Sequence, residues 1–149
     1  MSAVPSNQIS RSTYRTSSQD GSSTLRNSTE LLGRVLLVVL FFISGFGKIT
    51  AYKMTAGYMM AVGVSAALLP LAIATELLGA VAILVGWKTR IVSVLLSGFT
   101  VLTGMLFHIN FSDQTQLMMF LKNISIAGAF LLLAANGAGM YSVDARKAD

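Results

Sequence analysis

The chain has no cysteine, two prolines, one tryptophan and one histidine among its 149 residues. Without cysteine it holds no disulfide framework, no thiol pair of its own and no cysteine-ligated zinc or iron–sulfur centre. A single histidine cannot build a zinc site alone, and no metal-ligand spacing accompanies it. Charge is scarce as well: 11% of residues are Asp, Glu, Lys or Arg, against about 25% in an ordinary soluble domain. Acids are the rarest, six against eleven bases, for a net charge of +5. The bases are not gathered with aromatics on one soluble face, which excludes nucleic acid as a partner. There is no Gly-rich phosphate loop. Nor is there an internal repeat of the kind that builds inverted-repeat transporters.

What the chain does have is long apolar runs, and 54% of its residues are hydrophobic. A span needs about 20 apolar residues, and four segments qualify: 31–49, 68–87, 91–107 and 117–135. The partner these imply is a lipid bilayer. The expected fold is an all-α membrane protein, a four-transmembrane-helix antiparallel bundle. Residues 51–67 are of intermediate character, with Tyr52, Lys53 and Tyr58 suited to the headgroup region and Gly57 and Gly63 weakening a helix. They predict a short interfacial helix between spans 1 and 2. Pro70 then falls in the first turn of the second span, where its missing N–H does no harm. Trp87-Lys88-Thr89-Arg90 leaves room only for an antiparallel reversal.

Residues 1–29 are rich in Ser, Thr, Asn and Arg and nearly free of apolar side chains, so they read as a disordered tail. Residues 27–30 offer a polar cap and then an acid, the pattern of a helix start. The expected division is a tail at 1–29, a membrane domain at 30–140 and a second polar tail at 141–149. Sidedness follows from Lys and Arg, which concentrate on cytoplasmic loops. Arg11, Arg15, Arg26, Lys88, Arg90, Arg146 and Lys147 fall on one side of a four-span chain. Both termini are therefore expected in the cytoplasm, with Lys48 and Lys53 as the dissenting pair.

The chemically informative residues are the polar ones inside the spans. Glu76 lies near the middle of the second span, where an unpaired charge costs a few kcal/mol or more. In the first span Arg34, Phe41, Gly45 and Lys48 share one helical stripe. That stripe either faces the bundle interior or lets both bases snorkel to opposite surfaces. Ser93, Ser97, Thr100 and Gly104 form a small, polar stripe on the third span, continued by His108. On the fourth, Lys122, Ser125, Ala129, Leu132 and Asn136 share a face with Asn123 beside it. From the outer surface, Glu76 lies roughly 12 Å deep and Lys122 roughly 7 Å. Lys122 is therefore the expected partner of Glu76, Arg34 the competitor from below, and Lys48 and His108 sit above. The candidate polar cluster is Arg34, Lys48, Glu76, His108, Lys122 and Asn123, either a packing contact that fixes helix register or a ligand or proton site. Met118 and Met119 read as lipid-facing rather than as metal ligands. The glycosylation sequons at Asn27, Asn110 and Asn123 are short enough to arise by chance.

This pattern resembles the DoxX family of small bacterial inner-membrane proteins. The matching pieces are Gly33-Arg34, Phe42-Ile43-Ser44-Gly45-Phe46-Gly47-Lys48, Glu76-Leu77-Leu78-Gly79 and Gly86-Trp87-Lys88-Thr89-Arg90. His108, the run Phe120-Leu121-Lys122-Asn123-Ile124-Ser125-Ile126-Ala127-Gly128-Ala129 and Gly137-Ala138-Gly139 complete them. The resemblance implies a bacterial inner-membrane location. It also implies association with redox systems: a terminal quinol oxidase, thiosulfate:quinone oxidoreduction, or complexes against oxidative or thiol stress. No cofactor is identified in the chain itself, and a quinone is the cofactor class this allows. Thiol exchange would have to use a partner's cysteines.

The leading expectation is an accessory subunit of a quinone-associated redox or stress complex, with a protein partner or a homo-oligomer. A second is a binding or transport protein for a small anionic lipid or metabolite, favoured if three bases face one acid inside the bundle. A third is an enzyme acting on a lipid-soluble substrate, with Glu76 and His108 as acid–base groups.

Overall fold

A computed structural model describes the backbone of residues 6–146 and the side chains of residues 23–146. It contains six α-helices: α1 (Ser6–Thr50), α2 (Tyr52–Ala61), α3 (Leu69–Val85), α4 (Thr89–Phe107), α5 (Gln114–Asn136) and α6 (Val143–Arg146). No strand occurs among the described residues. Four helical stretches are long and apolar enough to cross a membrane: Ser23–Thr50, Ala66–Val85, Thr89–Phe107 and Gln114–Asn136. The expected four-span, all-α architecture is the one observed, with α2 as the short helix between the first two spans.

α1 has no break where a helix start was read. Thr29 Oγ1 donates to the Leu25 carbonyl at 2.9 Å, and Arg26 Nε lies 3.5 Å from Glu30 Oε1 one turn away. Such i,i+4 contacts carry the helix through residues 27–30, and adding turns to an existing helix needs no new nucleus. The backbone is helical back to Ser6 through the segment expected as a tail. Met1 to Pro5 lie outside the described residues, as do Lys147 to Asp149.

α1 packs chiefly on α3 and α4 chiefly on α5, with a lighter seam between α3 and α4. The core joins all four spans through Val38 and Phe41 of α1, Ala80 and Ile83 of α3, Leu96 of α4 and Phe130 of α5. Phe41 and Phe130 meet edge to face at 5.3 Å, a geometry that suits two ring quadrupoles. Close approach needs small residues, since lipid supplies no hydrophobic drive between helices. A Cβ on Gly45 would stand 2.6 Å from Leu77 Cδ2, and one on Gly79 2.7 Å from Leu96 Cδ2.

The stripes read on α1 and α4 face inward: Arg34, Phe41, Gly45, Ser93, Ser97, Thr100 and Gly104 are buried, and Lys48 is half-buried. The α5 reading needs correction. Lys122, Ser125, Leu132 and Asn136 are exposed, and the buried face runs through Ala127 and Phe130, with Asn123 and Ile126 partly covered. Ser125 Oγ donates to the Leu121 carbonyl at 3.0 Å, and Asn136 Nδ2 to Leu132 at 2.9 Å. Their polarity is thus satisfied on their own helix and does not require the interior.

Candidate functional site

The six polar residues divide between the two ends of the bundle. At the end where α3 passes to α4, Arg34 is 1% exposed. Its Nη1 donates to the carbonyls of Ile83 at 3.3 Å and Leu84 at 3.1 Å, and its Nη2 to Tyr141. The Ile83 and Leu84 carbonyls belong to the last turn of α3, where a cation is favoured. Glu30 and Asp144 supply the negative field around it. Gly86 ends α3 in the left-handed conformation at φ 70°. A Cβ there would meet Ser142 and stand 2.7 Å from Arg34 Nη1.

The segment after α5, expected as a polar tail, folds back over this turn. Asp144 accepts from the backbone N–H groups of Lys88 and Thr89, both at 2.8 Å, and its own N–H donates to the Gly86 carbonyl at 2.9 Å. It therefore caps α4 from 55 residues away. Asp144 and the partner of Arg34, Tyr141, were not singled out from sequence. The signal available was an acid in a short segment following Gly137-Ala138-Gly139.

At the opposite end the helices part around a cavity of about 280 Å³. Lys48, Glu76, His108, Lys122 and Asn123 all line it, and Arg34 does not. Ser44, Tyr58, Thr100 and Thr103 add hydroxyls, while Phe41, Leu69, Phe99 and Phe107 form apolar wall.

Glu76 is paired with Lys48, not with Lys122 or Arg34 as expected. Lys48 Nζ lies 2.8 Å from Oε1 and 2.9 Å from Oε2. It also donates to Ser44 Oγ at 2.6 Å, and Ser44 Oγ donates to Glu76 Oε1 at 3.2 Å. The reason is the α1–α3 seam. The bare face at Gly45 lets the helices close up, and a Cβ there would stand only 3.6 Å from Glu76 Cβ. Ser44 and Lys48, one turn apart and bonded to each other, thus both reach the carboxylate. The side chains are 25% exposed for Lys48 and 8% for Glu76, so the pair is mostly covered. α5 packs chiefly on α4, and its Lys122 is exposed and left outside this pair.

Lys122 Nζ instead reaches only the Met119 thioether, at 3.2 Å, and a thioether is a weak acceptor. Asn123 packs against Gly104, where a Cβ would lie 3.1 Å from Nδ2. His108 Nδ1 donates to Gln116 Oε1 at 2.8 Å. Tyr58 of α2 stacks on Phe107 at 5.8 Å and directs its hydroxyl to the Phe107 carbonyl, 3.4 Å away. α2 thus closes one side of the cavity. Ser44, Tyr58 and Gln116 were not among the sequence candidates; Ser44 was available as the residue one turn before Lys48. No group of three potential metal-ligating side chains occurs among the described residues.

The fold and this intramembrane ion pair define a class: a small helical protein of several membrane spans with an ionisable cavity at one end. The chain belongs to the DoxX family, whose model matches residues 29–109. It is 48% identical over 114 residues to the inner membrane protein YqjF of Escherichia coli K12, covering 76% of this chain and 88% of that protein. It is 36% identical over 124 residues to the inner membrane protein YphA of the same organism, covering 78% and 88%. No solved structure matches. The family match embraces the Lys48–Glu76 pair and His108 but ends before Lys122.

Proposed function

We propose that this protein is an accessory subunit of a quinone-associated redox or stress-response complex in the inner membrane, and that its cavity receives the head of a small amphipathic molecule. One observation carries the reading: a carboxylate–ammonium pair at 2.8 Å set in the wall of a cavity within the bilayer-spanning region. Buried ion pairs are poor stabilising devices, because desolvation offsets most of their attraction. Ionisable groups at membrane depth are more often functional.

The donor set suits a quinone head. The Lys48 ammonium, the Tyr58 hydroxyl and the Asn123 amide can meet carbonyl oxygens, and the phenylalanines offer ring faces. A bound quinone would supply transfer of an electron pair within the bilayer; the residues here would hold and orient it. The volume fits a head group, with a longer tail left among the lipids. With both termini in the cytoplasm, as the Lys and Arg distribution favours, the cavity lies in the outer leaflet.

Native mass spectrometry of the gently solubilised protein tests this. The expected result is a partner protein at fixed stoichiometry together with a retained quinone. A chain that emerges alone and binds no added ubiquinone overturns the reading. The second reading, a carrier for an anionic lipid or metabolite, draws support from Lys122, which has no acid within ion-pair distance among the described residues.

A further inference from the structure

We infer that Lys122 is a head-group contact for a single-chain carboxylate amphiphile, a fatty-acid-like anion that enters the cavity from the surrounding lipid. The inference rests on the second reading above, a site for an anionic lipid or metabolite, and adds the head group and chain number of the ligand.

The first argument is charge balance. Glu76 is the only carboxylate lining the cavity among the described residues, and both its oxygens are taken by Lys48. No acid among the described residues lies within ion-pair distance of Lys122. The cavity therefore carries one uncompensated positive charge. An ammonium has three donors, and Lys122 uses one of them on a thioether. Lys122 is the ninth residue of α5 and lies roughly 7 Å along the helix past Leu117, where its apolar run begins. A bare cation at that depth is costly, and an anion arriving from the membrane relieves the cost.

The second argument is shape. The cavity is small, at the lower edge of ordinary ligand sites, and Lys122 stands exposed at its rim. A carboxylate offers two oxygens, one for the Lys122 ammonium and one for the neighbouring Asn123 amide. A phosphate head carrying glycerol and two chains exceeds the space. The single chain can follow the apolar wall formed by Leu40, Phe41 and Ile126.

The test uses the full chain in phosphatidylcholine nanodiscs, with labelled oleate, its neutral methyl ester and a lysophosphatidate as probes. Oleate is expected to bind more tightly than the ester by about tenfold or more, the difference one charge-assisted hydrogen bond makes. Lys122→Gln should remove that preference while leaving ester binding unchanged. Lys122→Arg should keep oleate affinity within about threefold, since the charge stays. Ala72→Phe, which fills the cavity from α3, should abolish binding of both. If Lys122→Gln leaves oleate binding intact while Ala72→Phe abolishes it, the head-group inference falls and the cavity reading stands. If Ala72→Phe has no effect in a folded protein, both fall. Tighter binding of lysophosphatidate than of oleate overturns the choice of a carboxylate.

Discussion

The two ends of the bundle each hold a base from α1, Arg34 buried and Lys48 half-buried, and they use it differently. Arg34 is enclosed by backbone: two carbonyls from the end of α3, a third from Tyr141, and a returning segment whose Asp144 caps α4. Glycine is required there at Gly86 and Gly139, where any Cβ would collide with Ser142 or Glu30. Lys48, fourteen residues later on the same stripe, meets a side chain instead, beside a cavity of about 280 Å³. A guanidinium spread over fixed carbonyls locks chain segments together. An ammonium on a carboxylate can exchange partners when a ligand arrives. The first end ties backbone segments together, and the second leaves a charged pair beside open volume.

The comparison predicts its largest effect at Arg34. Arg34→Ala removes the guanidinium that three carbonyls share and the positive charge between Glu30 and Asp144, at a cost of about 4 kcal/mol. Thermal unfolding in detergent should show it, and limited proteolysis should cut near the α3–α4 turn. Arg34→Lys should recover only part, since one ammonium cannot span the same acceptors. A stable Arg34→Ala protein would mean that the closed end is not a lock.

Glu76→Ala comes next, at about 3 kcal/mol, because it strands a half-buried ammonium. Glu76→Gln should cost less, as the amide oxygen still accepts from Lys48 and Ser44. Equal unfolding temperatures for the two variants would show that Lys48 escapes to the surface without Glu76. That would erase the contrast between the two ends.

Much of this was legible in the residues. The apolar runs marked the spans, the period of 3.6 placed the α1 and α4 stripes, and Pro70 and the basic turn marked helix ends. The partner of Glu76 was not. Periodicity tells which face of a helix is polar, but not which helix that face meets, and three bases were in reach. The deciding contact, Gly45 under Leu77, depends on tertiary approach. The face of α5 that carries Lys122, Ser125 and Asn136 does not need the interior, because Ser125 and Asn136 each bond a carbonyl on their own helix. The closing segment escaped notice because a cap supplied from 55 residues away leaves no local signature.

Gly45→Ala tests whether that approach positions the ion pair. The added methyl would meet Leu77 Cδ2 at 2.6 Å, the end of a side chain that can turn aside in part. Overpacking of this kind costs about 1–3 kcal/mol. The informative readout is a double-mutant cycle with Glu76→Gln. If Gly45 sets the distance between Lys48 and Glu76, the two losses are not additive. Additive losses would separate helix contact from ion pairing.

The smallest effect is expected at Gly98 on α4, where a Cβ meets nothing within 4 Å. Set against lipid, Gly98→Ala only replaces a poor helix former by a good one, so stability should hold steady or rise by up to about 1 kcal/mol. The same variant also reports on assembly. Should Gly98→Ala lower the unfolding temperature of the complex but not that of the isolated chain, this face of α4 is in contact with another protein. The substitution is silent if only acyl chains lie there, because they reshape around one methyl, whereas a packed helix partner cannot.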